Sequence, residues 1–172
     1  GAGANFGIVT SFEFRLHPIT GRALVVDLFF DPSEAVAALR VWRELLPDAP
    51  RQAILTSGAV TGGDAPFLPT SLRGRPLVTV GYIWVGDMDE ARGYLRTIRE
   101  VGESIAEDVE EMNYVELQSM SDANHHHGTR HYSKGHYLTE LSDAAINAFV
   151  SRGVVSGGAD PDWSRVPSGE LP

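Results

Sequence analysis

The densest chemistry in the sequence lies between residues 114 and 137. His125-His126-His127, with His131 and His136 nearby, offer imidazoles that suit zinc, copper or nickel. Neighbours on a chain point in different directions, so three consecutive histidines do not converge on one ion. No carboxylate stands at a recognisable ligand spacing, although Asp122 is close, and the run reads as a solvated loop without a native metal site. The next stretch, Arg130 to Tyr137, alternates as a strand does. Tyr132, Lys134 and His136 share one face, and His131, Ser133 and Tyr137 share the other. Phenol, ammonium and imidazole on one face suit hydrogen bonding to a polar substrate or a proton transfer. The alternative is an edge strand with one wet face, where a lysine deters further pairing. Tyr114, Gln118 and Asp122 fall four apart and would share a helix face, as a polar wall or an exposed stripe.

Glycines cluster at the start, Gly1-Ala2-Gly3-Ala4-Asn5-Phe6-Gly7. Such a segment lets a backbone approach a ligand closely. A dinucleotide fingerprint needs a strand before the glycines and a helix after them. Here a strand follows and none precedes, so the segment fails that test.

These residues need elements to hold them. The chain has 172 residues, enough for one domain with a real core. Apolar residues make up 42% and charged residues 22%, the range of a folded globular chain. A net charge of −9 disfavours nucleic acid or an anionic membrane as partner. There is no cysteine, hence no disulfide, thiolate metal site or thiol nucleophile. No apolar run is long enough to span a bilayer. Gly1 stands in mid-motif with no initiator Met, so sequence upstream of it is expected.

Phe12, Phe14 and Leu16 alternate with Glu13 and Arg15, the period of a strand with one buried face. Leu24 to Phe30 is a nearly continuous apolar run, the pattern of an interior strand. Asp31-Pro32-Ser33-Glu34 opens a helix with Ala35, Leu39, Trp42, Leu45 and Leu46 on one face. Gln52 to Val60 reads as a strand, Gly62 to Pro76 as a loop, and Leu77 to Val85 as a strand with Val78, Val80, Tyr82 and Trp84 on one side. Asp87-Met88-Asp89-Glu90 repeats the acidic cap before a helix that aligns Ala91, Tyr94, Leu95, Ile98 and Val101. Ile105 to Met112 is a weaker strand, and a short helix runs from Tyr114 to about Met120. A strand over Arg130 to Leu138 and a helix opened by Ser142-Asp143 follow; residues 156–172 read as loop. The order predicts an α+β fold: an antiparallel sheet with helices on one face and the other face free, with a ferredoxin-like (split βαβ) core plus an extra strand and helix.

Gly3 to Pro18, read as GANFGIVTSFEFRLHP, closely resembles a signature of the FAD-linked oxidases that include berberine bridge enzyme. Further on, Tyr114-x-x-Leu117-Gln118, Arg130-x-Tyr132-x-Lys134 and Leu138-x-x-Glu140-Leu141-Ser142-Asp143 resemble that family's helix and strand motifs in the same order. The resemblance implies an FAD-dependent oxidoreductase that moves a hydride from an alcohol, sugar or secondary metabolite to flavin. It implies that residues 1–20 end an FAD-binding domain, that 21–155 form the substrate-binding domain, and that 156–172 are a tail. It assigns FAD contacts to Gly3, Asn5, Phe6, Gly7, Ile8 and Val9, and substrate contacts to Gln118, Tyr132 and Lys134. It names no catalytic base. The family's upstream phosphate-binding loop and flavin-linking histidine are not in the chain, so the chain alone is expected neither to hold FAD tightly nor to turn over. The alternative is a stand-alone ferredoxin-like module that binds a small ligand or self-associates through the exposed sheet face.

Overall fold

Gly21 turns the chain into the first strand at φ +76°, a conformation that glycine adopts freely and side chains resist. A computed structural model of the chain describes residues 7–16, 21–120, 122 and 135–153. Strand β1 (Arg22–Phe30) has six of nine residues buried, so both of its faces are covered, as its apolar run requires. Helix α1 (Pro32–Leu45) follows, capped by Asp31, whose carboxylate accepts from the Ser33 N–H at 3.2 Å. Arg75 reaches the other oxygen of that cap at 2.6 Å. Strand β2 (Ala53–Thr61) leads through a loop containing a 3₁₀ turn, Thr70–Leu72, into β3 (Pro76–Val85).

Helix α2 (Met88–Arg99) starts as the first did, with Asp87 accepting from the N–H groups of Asp89 and Glu90 at 2.9 and 3.0 Å. Strand β4 (Ala106–Asn113) passes directly into helix α3 (Tyr114–Ser119) through a capping box made by Asn113 and Glu116. Helix α4 (Asp143–Gly153) closes the described part.

The sheet has four strands in the order β2-β3-β1-β4, each pair antiparallel. This is the split βαβ arrangement the sequence predicts. One face carries Leu24, Val26 and Leu28 of β1 and Val80, Tyr82 and Trp84 of β3 against the helices. Leu39 and Trp42 of α1, Leu95 and Ile98 of α2 and Ile146 of α4 complete that core. Each such buried side chain contributes about 1.5–3 kcal/mol. The Tyr82 hydroxyl donates to the Ala91 carbonyl at 2.7 Å, and burial pushes its pKa up to about 12, so it remains a donor. Helix α4 is clasped to α1: Arg43 donates to the Leu141 carbonyl at 3.1 Å and to Asp143 at 2.7 Å, and Arg40 pairs with Asp143 at 3.1 Å.

Three expectations are corrected. Phe12 to Leu16 forms no strand; Phe12, Phe14 and Leu16 are exposed, and the two rings stack on each other at 5.4 Å. Alternation makes a strand only where a neighbouring strand accepts its hydrogen bonds, and no described strand lies beside this segment. The expected strand Arg130 to Leu138 is not strand in its described part, residues 135–138, and the rest lies outside the described residues. The second sheet face is not free: the loop after β2 and helix α3 both fold onto it, because Leu68, Leu72 and Leu117 need cover of their own.

Gly81 fixes how closely the two central strands approach. A Cβ at position 81 would stand 1.8 Å from the Val26 carbonyl oxygen on β1. Gly81→Ala is therefore expected to cost about 3 kcal/mol or more. Urea unfolding checks this, and a midpoint unchanged from the parent chain would contradict it.

Candidate functional site

The register of the sheet decides which residues meet on the face away from α1 and α2. Thr56 pairs with Gly81, Gly81 with Asp27, and Asp27 with Asp108, so these four form one row across all four strands. Side chains on a strand alternate, so the residues flanking the row on β1 are Val25 and Phe29, and those on β3 are Thr79 and Ile83.

Walls rise on both sides of this row, toward either end of the strands. At one end Leu117 of α3 packs on Ala23, Val25 and Met112, with Ile83 and Val85 alongside. At the other, Leu68 and Leu72 of the loop cover Leu77 beside Phe29 and Ala106. The Phe67 ring tilts against Phe29 at 5.4 Å between centroids. The result is a trough with apolar walls, Asp27 on its floor and Asp108 at its open side on the edge strand β4. Gly81 places no side chain on one side of Asp27, which leaves Asp108 as its cross-strand neighbour.

The acids on this face are electrostatically unlike those on the helix side of the sheet. On β4, Glu107 and Glu111 point toward the helices and are matched with arginine. Arg99 grips Glu107 and holds its carboxyl below the usual range, while Arg22 and Arg92 both reach Glu111. Asp108 and Glu110 alternate with them on the trough side. Among the described residues no cation or hydrogen-bond donor meets Asp27, Asp108 or Glu110. Burial, and then the nearby Asp108 charge, raise the Asp27 pKa. Burial, and then Glu110, raise that of Asp108. A half-buried carboxyl without a counter-ion holds its proton to higher pH than a free one. This is the property of a group poised to give or take a proton.

The residues predicted from sequence do not gather into this floor. Gln118 is exposed on α3, next to the wall residue Leu117. Gly7, Ile8 and Val9 form an exposed strip; Ile8 is 93% exposed. Gly3, Asn5, Phe6, Tyr132 and Lys134 lie outside the described residues, as do His125-His126-His127 and His131. His136 is described and is exposed. No described set of residues reproduces the predicted face of Tyr132, Lys134 and His136. Asp27 and Asp108 were not singled out by motif or spacing. The available signal was Asp27 itself, the one charged residue inside the apolar run Leu24 to Phe30.

No family model matches the chain. It is 25% identical over 148 residues to an FAD-linked oxidoreductase of Dictyostelium discoideum, an alignment that covers 84% of this chain. The chain spans 29% of that relative's length.

Raised carboxyl pKa values carry a definite sign. Folding favours the protonated form of Asp27, so its contribution is most favourable below the unfolded-state pKa. That contribution is lost as pH rises through the higher folded-state value. Asp27→Asn removes this loss. The variant is expected to melt above the parent at pH 7, with the gap closing below pH 4, as calorimetry at the two pH values would measure. A gap of equal size at both pH values would rule out ionisation as its cause.

Proposed function

We propose that the chain is the substrate-side part of an FAD-dependent oxidoreductase related to the berberine bridge enzyme group, and that the trough is the wall its substrate meets. The similarity to the Dictyostelium oxidoreductase over 84% of the chain carries this reading. The signature from Gly3 to Pro18 supports it. So does the exposure of Ile8, Val9, Phe12, Phe14 and Leu16, a run of apolar side chains that calls for a covering surface. In this reading the covering surface is the flavin-binding part of the longer protein. Residues 1–20 are its last strip, residues 21–155 the substrate domain and 156–172 a tail.

The donor set fits a flavin cofactor in one respect. The described part of the strip, Gly7 to Val9, exposes its backbone, and a Cβ at Gly7 would meet nothing within 4 Å. Gly3, Asn5, Phe6, Gly7, Ile8 and Val9 would contact FAD largely through backbone groups. FAD, when bound, supplies the hydride acceptor.

The chain's own residues do the rest. The walls of Leu117, Leu68, Leu72 and Phe67 exclude water from a small organic substrate resting on the floor. Dehydrogenation of an alcohol removes a hydride from carbon and a proton from oxygen. The ionised Asp27 carboxylate takes that proton, and Asp108 raises its affinity for it. Gln118 at the α3 wall and Tyr132 and Lys134 of the following segment bind the polar groups of the substrate.

Expression of the complete reading frame tests the proposal. The full protein is expected to purify yellow and to bleach anaerobically with an alcohol or sugar of the right class, whereas this chain alone stays colourless in the presence of FAD. A colourless full-length protein that no added FAD colours would sink the reading. In the full protein, Asp27→Asn is expected to slow flavin bleaching about 10²–10⁴-fold, and to remove the acid limb of its pH profile.

A further inference from the structure

A cleft opens on the helix side of the sheet, between the first turns of α1 and the turn that joins α2 to β4. Its volume is about 510 Å³, a size that suits a small organic molecule. Glu34, Ala37 and Ala38 form one wall, spaced three and four apart on a single face of α1. The turn of residues 101–105 forms the other wall, and Phe30 at the end of β1 lies at the base. Gly102 lets that turn lie close: a Cβ there would stand 3.3 Å from the Phe30 ring and 3.8 Å from the Ala38 methyl. Alanine at position 37 leaves the space that a larger side chain would fill. Every lining residue belongs to the span 21–120, which the structure describes without a break.

The chemistry of the cleft is divided. Phe30 and Val101 are buried beneath it, and Ile105 is 40% exposed beside them. Glu34 and Glu103 line the same space and are exposed, so their carboxylates stand at its mouth. Among the described residues neither carboxylate meets a cation or a hydrogen-bond donor. Arg75 and Arg99, on neighbouring elements, are committed to Asp31 and Glu107. An apolar base under two unmatched carboxylates is complementary to a molecule with an apolar body and a positive head. We propose that this cleft binds a small organic cation, a ring or short chain that carries an ammonium group. The apolar part rests on Phe30, Val101 and Ile105, and the ammonium group is held between Glu34 and Glu103.

This inference does not depend on the flavin reading, because the cleft and the trough lie on opposite sides of the sheet. Titration calorimetry of the 172-residue chain with 2-phenylethylammonium is expected to show saturable binding at one site. The alcohol of the same ring and chain, 2-phenylethanol, is expected to bind about tenfold more weakly. Salt is expected to weaken the ammonium probe alone. Glu34→Gln with Glu103→Gln is expected to bring the two affinities together. Ala37→Trp, at an exposed position, fills the cleft and is expected to abolish binding of both probes. The trough also carries unmatched acids, so Asp108→Asn with Glu110→Gln is the control, and is expected to leave the ammonium affinity unchanged. Circular dichroism checks that each variant is folded. A parent chain that does not bind the ammonium probe saturably overturns the proposal, as does equal affinity for the alcohol. So does binding that survives Ala37→Trp, or binding that is lost with the trough acids.

Discussion

Strand β1 is asked to be buried on two sides at once and still to carry a carboxyl in its middle. Leu24, Val26, Leu28 and Phe30 close the helix-side core, while Ala23 and Val25 close the floor under α3. Both layers therefore hang on one strand, and the pairing of that strand with β3 sets their spacing. The pairing depends on the bare backbone of Gly81 next to Val26. Remove that close approach and the row containing Asp27 loses its place, along with the apolar layers above and below. Asp27 is tolerated in such a strand because its neighbour across β3 has no side chain and leaves it partly open, while its neighbour across β4, Asp108, repels its charge.

Much of this is legible in the sequence alone. The two acidic caps, Asp31 and Asp87, mark helix starts because they satisfy N–H groups that a helix cannot satisfy itself, and that local chemistry survives any tertiary context. Leu77 to Val85 and Leu24 to Phe30 were legible as strands because apolar side chains in short runs have few other ways to be buried. The site was not legible in the same way. Its floor is a row across four strands, so its members are distant in sequence and are brought together by register, which no local spacing encodes. Phe12 to Leu16 misled for a related reason: alternation states that one side seeks cover, not that the cover is a strand in the same sheet.

Charge is sorted along β4 with the same period as its side chains. The acids that turn toward the helices, Glu107 and Glu111, meet arginines on α2 and β1. The acids that turn toward the trough meet each other. These partnered pairs are largely exposed, so their value to stability is small, and neutralising acids beside the apolar core is the more tangible effect. The unmatched side stores electrostatic repulsion that a proton or a cationic group would relieve. Partnered and unpartnered acids thereby lie on opposite faces of a single strand.

The loop of residues 62–75 forms one wall of the trough and stands outside the helix-side core. It leans on Phe29, Leu77 and Ala106 through Leu68 and Leu72, and Gly62 and Gly74 hold its two ends together by a backbone hydrogen bond of 2.8 Å. Its neck is thus closed independently of what the segment between carries. Floor and wall are consequently free to drift at different speeds. Each floor position is tied through its strand to the core behind it, whereas residues between the neck glycines can be lengthened, shortened or exchanged while two leucines keep their seat. Changes of length or sequence there would reshape that wall and leave the acid row behind it in place.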